Sequence, residues 1–361
     1  MMNGLKKKMT GNKITILQTV LPNLIFLLKH YLVSDRKPTN LFKYKAEENF
    51  NHRHTNSIPR IKIFPQRRNC ANLRFLVGHY LEMFKLHLSL YIGFSAVFGH
   101  VMASQSFAID SLLFGFFVFI LACGSAVLNN IQDREYDSFF LRTNCRSLPQ
   151  RRVPLIHAKI IAVLMIGLGL SGLLLAQTLF PLFFGILAIV FYNGVYTPLK
   201  KRSLMAIVPG SLVGIFAPLI GWSAAGEIIT DPNILIILSI FGLWQIPHFF
   251  IVVLKTREYK PGNYKSNSFP CFTKIFSKNE IILQALIWTN LYSLAILLFL
   301  INGSIQNQIL SIICGLNVVG ITLFIPAIMV KKQNYSFAFI AINLSILFFM
   351  GAGIWDKFIF E

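Results

Sequence analysis

Asn129, Asp133 and Asp137 lie four residues apart in the stretch NNIQDREYDSFFLRTNCRSLP. On a helix that spacing puts three oxygen-bearing side chains on one face, drifting by about 40° per step. An apolar run precedes them, and Arg142, Arg146, Arg151 and Arg152 follow. Carboxylates at the end of an apolar helix, with cations just beyond, suit a divalent metal and the polyanion it neutralises. Asp133 and Asp137 are the expected ligands of Mg²⁺, with Asn129 orienting a water or phosphate oxygen and Arg142 and Arg146 clamping phosphate. The plainer alternative is a solvated helix end in which Arg134, Glu135 and Asp137 pair.

Two further stretches carry chemistry. Trp244-Gln245-Ile246-Pro247-His248-Phe249 is followed by Lys255-Thr256-Arg257-Glu258. Pro247 inside a span frees a backbone carbonyl. Glu258 ends that span level with the first motif and can hold a second metal, with Lys255 and Arg257 on phosphate. His248, about two turns deeper, is placed to contact an acceptor or, more plainly, to pack between helices. The third stretch, Tyr192-Asn193-Gly194-Val195-Tyr196-Thr197-Pro198-Leu199-Lys200-Lys201-Arg202, puts two tyrosines beside an asparagine and ahead of lysines. An aromatic belt with interfacial anchors explains it alone. Beside two acidic loops, Lys200 and Lys201 become diphosphate contacts.

The elements that must position these groups are membrane helices. The 361 residues are 55% hydrophobic and only 13% charged, with a mean hydropathy of +0.60. A soluble domain has about 25% charged residues. Nine apolar runs, over 84–104, 110–131, 155–177, 179–196, 204–226, 233–254, 281–301, 307–330 and 336–355, are each long enough to cross a hydrocarbon core. Helices are the default there, because open sheets cannot cross lipid. The cations fall in alternate loops: Arg134 to Arg152, Lys200 to Arg202, Lys255 to Lys278, and Lys331 with Lys332. The other loops carry none. The positive-inside rule makes the cationic loops cytoplasmic and puts the C-terminus on the opposite side. The expected location is a bacterial inner membrane. The net charge of +20 is accounted for by phosphate-bearing substrates and an anionic leaflet, without nucleic acid.

Residues 1–75 read as a basic extension ahead of a membrane domain over 76–361. The run from Ile14 to Val33 is interrupted by Gln18, Pro22, Asn23 and Lys29 and reads as an interfacial helix rather than a span. The cysteines, Cys70, Cys123, Cys145, Cys271 and Cys314, form no C-x-x-C pair and indicate neither a zinc site nor a disulfide framework. His87, His100 and His157 stand alone and read as surface or packing residues. Acid-plus-base loops after the second and sixth spans hint at two related halves.

These residues resemble the UbiA superfamily of intramembrane prenyltransferases, over roughly 80–350. The N-x-x-x-D-x-x-x-D pattern with Arg142, Thr143, Arg146 and Pro149 looks like that family's first aspartate motif. YTPLKKRS at 196–203, APLIGW at 217–222 and WQIPHF at 244–249 look like its haem-farnesylating branch. The resemblance implies an all-α bundle of nine transmembrane helices around a central cavity. It implies Mg²⁺-dependent loss of diphosphate from an isoprenoid, with Asp133, Asp137 and Glu258 on the metal and Arg146 assisting. Substrates would meet Asn129, Arg142, Tyr196, Lys200, Lys201, Trp244, His248, Lys255 and Arg257. In that branch farnesyl diphosphate alkylates a vinyl group of haem b, and water completes the chain. Departures are Lys85-Leu86-His87 where Lys-Pro-Arg is usual, Ser147 for proline, Arg152 where Gly-Arg is common, Ala206 for asparagine and Glu258 for aspartate. The segment from His248 to Lys255 is one residue short, and the long extension is atypical. Prenylation of a quinone precursor, a transporter and a silent scaffold are the alternatives.

Overall fold

The computed structural model describes residues 73–140, 142–256 and 272–359. Among them every regular element is helical. A short helix, α1 (Leu73–Met83), precedes nine helices long and apolar enough to cross a membrane. These are α2 (Leu86–Ser104), α3 (Ile109–Asp137), α4 (Leu155–Leu173), α5 (Phe180–Leu199), α6 (Leu204–Ala224), α7 (Pro232–Thr256), α9 (Lys278–Ile301), α10 (Gln308–Lys332) and α11 (Tyr335–Ile359). A single turn, α8 (Phe272–Ile275), precedes α9. The nine expected spans are all present. The main difference is in α3, which continues beyond 131 to Asp137 and so carries the whole acidic motif in helical register. The run from Ile14 to Val33 lies outside the described residues, and α1 has no counterpart in the sequence reading.

Local chemistry sets the ends. Ser277 and Glu280 cap α9 reciprocally: the Glu280 N–H donates to Ser277 Oγ (3.3 Å) and the Ser277 N–H to Glu280 Oε2 (2.7 Å). Asn307 Oδ1 accepts from the Ile309 and Leu310 N–H groups at the start of α10. At that same end of the bundle, the buried Asp356 carboxylate accepts from the backbone N–H of Gln306 (3.0 Å) and Asn307 (2.7 Å) and pairs with buried Lys357 at 3.3 Å. A π-helical turn, Val190–Tyr196, interrupts α5 just before Pro198. Proline has no N–H and its ring clashes with the carbonyl four residues back, so the preceding turn widens.

Each span packs on its chain neighbour, and α11 closes back onto α2. The α2 span also packs on α6 and α7, and α7 on α11. At the α2–α6 crossing the backbones touch. A methyl group added at Gly99 would lie 2.1 Å from the Pro218 carbonyl oxygen, and one at Gly221 1.9 Å from that of Ala96. Small residues permit this approach, which dispersion and weak polar contacts reward in lipid. The core holds Phe98, Tyr292, Phe299, Phe349, Ile237 and Ile240, while α4 and α5 turn Val163, Leu164, Phe183 and Val190 outward. A second, smaller core joins Met83 of α1 to Val127, Leu148, Val153, Ala158 and Ala162.

Candidate active site

The final turns of α3 bring Asn129, Asp133 and Asp137 into burial: they are 1%, 3% and 5% exposed. Carboxylates buried that deeply must be paired, and each is. Asp133 accepts from Lys200 through Oδ2, while Lys201 Nζ stands 3.0 Å from Oδ1. Asp137 Oδ2 accepts from Arg146 Nη1 at 2.7 Å. Asn129 ties the set together, donating to Asp133 Oδ2 (3.0 Å) and Thr197 Oγ1 (2.9 Å) and accepting from Lys85 Nζ (2.7 Å).

Different elements supply the cations. Lys85 sits in the left-handed turn between α1 and α2, with φ 48°. Arg146 lies in the loop after α3, whose Thr143 hydroxyl donates to the Asp137 carbonyl at 2.9 Å. Lys200 and Lys201 follow α5 and lie over the rings of Tyr196 (5.5 Å) and Tyr136 (5.7 Å). The π-turn is clamped to α3 by Asn193: its amide accepts from Ser125 Oγ (2.5 Å) and donates to the Ser125 carbonyl (3.1 Å) and Gln132 Oε1 (3.2 Å). Thr197 donates back to the Tyr192 carbonyl at 2.8 Å, and the Tyr192 and Tyr196 rings stack 5.8 Å apart.

Four cations therefore surround two carboxylates. Burial, then the Arg146 and Lys200 charges, push Lys85 down to about 7, with Asp133 and Asp137 opposing. Burial likewise lowers Lys200 against the pull of Asp133. A buried rim with surplus positive charge is a site for a polyanion. Its acids offer hard oxygen donors. Among the described residues no three His, Cys, Asp or Glu side chains converge. Two carboxylates and an amide oxygen nonetheless fit Mg²⁺, which keeps waters and takes substrate phosphate oxygens to complete its shell.

A cavity of about 220 Å³ opens beside this cluster, bounded by Glu82, Lys85, Asn130, Asp137, Arg146 and Ser147. The α1 helix is clasped over it. The Ser147 hydroxyl donates to Glu82 Oε2 and bonds His79 Nδ1 at 3.1 Å; Asn130 Nδ2 donates to the Met83 carbonyl at 2.9 Å; Tyr80 Oη bonds His157 Nδ1 at 3.0 Å.

Of the residues singled out in the sequence, Asn129, Asp133, Asp137, Arg146, Tyr196, Lys200 and Lys201 come together. Arg142 is exposed in its loop. Lys200 and Lys201, read as diphosphate contacts, pair with Asp133. Trp244 donates through Nε1 to the Ile342 carbonyl at 3.0 Å, and His248 Nδ1 bonds Asn343 Oδ1 at 3.1 Å, both on α11. Lys255 ends α7 with Nζ over the Phe339 ring at 4.8 Å. Arg257 and Glu258 lie outside the described residues. The α7 terminus shares a level with Lys85, because Tyr91 of α2 donates to the Asn343 carbonyl at 2.8 Å, one turn inside Phe339. Lys85, Thr197, Asn193 and Gln132 were missed as site residues. For Lys85 the available signal was a cation opening the first span on the cationic side. His100 bonds Ser111 Oγ at 3.0 Å, a packing role, and Cys123, Cys145 and Cys314 are free thiols.

Residues 92–352 match the UbiA prenyltransferase family. The protoheme IX farnesyltransferase of Nitratidesulfovibrio vulgaris (strain DP4) is 27% identical over 264 residues, covering 72% of this chain and 89% of that protein. The protoheme IX farnesyltransferase of Geobacter sulfurreducens is 33% identical over 193 residues, covering 54% of this chain and 70% of that protein. Among solved structures, a UbiA homologue from Archaeoglobus fulgidus bound to GPP and Mg²⁺ superimposes with a TM-score of 0.59 at 14% identity, covering 77% of this chain and 99% of that one. One from Aeropyrum pernix K1 gives 0.61 at 16%, covering 74% and 97%. At those identities the structures speak for the fold, and the family match spans most of the chain: this protein belongs to the UbiA prenyltransferase family.

Proposed function

We propose that this protein transfers a farnesyl group from farnesyl diphosphate to a vinyl group of haem b, in a domain over 76–361 whose acidic rim faces the cytoplasm. The basic extension over 1–75 precedes it, and the expected setting is a bacterial inner membrane. The observation that carries the reading is the buried pair Asp133 and Asp137 among four cations. The names of the curated relatives support haem as the acceptor. The GPP and Mg²⁺ of the Archaeoglobus fulgidus homologue support an isoprenyl diphosphate and a metal.

Asp133 and Asp137, with Glu258 from the second motif, would hold Mg²⁺, which neutralises charge on the departing diphosphate. Arg146, Lys85, Lys200 and Lys201 bind the phosphate oxygens and hold them where that charge develops. The lysines now paired with Asp133 are within reach of such an anion. The apolar spans take the isoprenoid tail, whose burial contributes about 0.8 kcal/mol per CH₂, and keep water from the allylic carbon. That carbon loses its C–O bond with both electrons going to diphosphate. The vinyl π pair forms the new C–C bond, and water adds to the resulting cation with loss of a proton. The acceptor needs no general base before attack.

Asp133→Asn should lower diphosphate release by about 100-fold or more while folding and membrane insertion are retained. A wild-type rate from that variant would remove the metal assignment. Mass spectrometry of pigments from cells with and without the protein identifies the acceptor: a farnesylated haem is expected, and a prenylated quinone precursor instead would overturn the choice of haem.

A further inference from the structure

We infer that His248 ligates the iron of the porphyrin acceptor through Nε2; this rests on haem being the acceptor. The side chain is already set as a ligand. Asn343 Nδ2 donates to the Phe339 carbonyl at 2.5 Å, which turns its Oδ1 toward His248 Nδ1 at 3.1 Å. An amide oxygen only accepts, so Nδ1 carries the proton and Nε2 carries the lone pair. Metal-bound histidines are oriented in this way, with the second nitrogen donating to a fixed oxygen. The ring is also held by Trp244 and Phe339, at centroid distances of 4.9 and 5.1 Å.

Nε2 has no hydrogen bond to any described residue. His248 stays partly exposed although Trp244, Pro247 and Ile251 beside it on α7 are buried. That is the inward face of α7, and Asn343 also accepts from Tyr91 of α2 there. His248 therefore sits where α2, α7 and α11 meet. It is eight residues before the end of α7, about 12 Å along the axis. A porphyrin held by its iron at that depth has one edge toward the acidic rim, where a vinyl group would meet the isoprenoid donor.

The test uses the full-length protein purified in detergent and titrated with ferric haem b, followed by Soret absorbance and low-temperature electron paramagnetic resonance. Iron-free protoporphyrin IX is titrated in parallel. The wild type should show a nitrogen-ligated iron. His248→Ala should lose that signature and regain it on adding imidazole, with protoporphyrin affinity unchanged. Asn343→Leu should keep the signature but weaken haem binding by about tenfold. An unaltered spectrum in His248→Ala, or an equal loss of protoporphyrin binding, overturns the ligation and leaves haem as acceptor standing. A wild type that binds neither porphyrin overturns both.

Discussion

Charge balance governs the site at the scale of single residues. Lys85, Arg146, Lys200 and Lys201 outnumber the two carboxylates they surround, and burial prevents water from screening the excess. Lys85 is the cation not paired with an acid: it bonds the neutral Asn129 amide. Its Nζ is therefore available to a phosphate oxygen, whose negative charge would favour the protonated form that burial opposes. Lys85→Met should raise the KM for the isoprenyl diphosphate by about tenfold, or about 1.4 kcal/mol, with a smaller change in kcat. Initial rates over a range of donor concentrations check this, and an unchanged KM would take Lys85 out of the binding set. The acids were legible in the sequence, because carboxylates at the end of a span are costly unless used. Lys85 was not, since it lies 44 residues from Asn129 and only the left-handed turn after α1 aims it inward.

Helices and loops hold that cluster by two kinds of contact. One is steric: Gly99 and Gly221 let α2 and α6 meet backbone to backbone. Gly221→Ala should separate them at a cost of about 1–3 kcal/mol, read as a lower unfolding temperature in detergent. Gly315→Ala, where an added methyl meets nothing within 4 Å, should not. Equal melting of the two variants would contradict the close crossing. The other is polar: Ser147 joins Glu82 and His79 of α1 to the loop carrying Arg146. Ser147→Ala leaves those partners with one bond fewer, a cost of about 1–3 kcal/mol. Faster amide hydrogen exchange over 142–152 is the expected sign. Protection equal to wild type would mean that the small apolar core around Met83 seats α1 alone. Neither contact could be read from local pattern. Glycine is common in membrane spans, and the partners of Ser147 lie 65 and 68 residues away in the chain.

Across the whole molecule, alternation of the nine spans puts the ends of α3, α5, α7 and α10 on one face, with the Lys and Arg residues of the connecting loops. The opposite loops contain none; Lys357, near that face, is buried against Asp356. In a Cys145→Ser background, a membrane-impermeant maleimide should label Gln306→Cys in intact cells. It should label Lys332→Cys only after permeabilisation. The reverse pattern would invert the protein and place its acidic rim outside the cell.

What the sequence determined alone was the set of spans, the side that carries the cations, and the acidic motif on one helical face. These follow from a constraint felt at every position: lipid satisfies no backbone polar group, so each crossing must be a long apolar helix and each charge must be costly or useful. What the tertiary structure decided was which cation meets which acid, why α2 runs inside the bundle, where α1 docks, and that His248 is held by an asparagine 95 residues away. Those contacts depend on how side-chain shapes pack between helices distant in the chain, a property that no local pattern of hydrophobicity records.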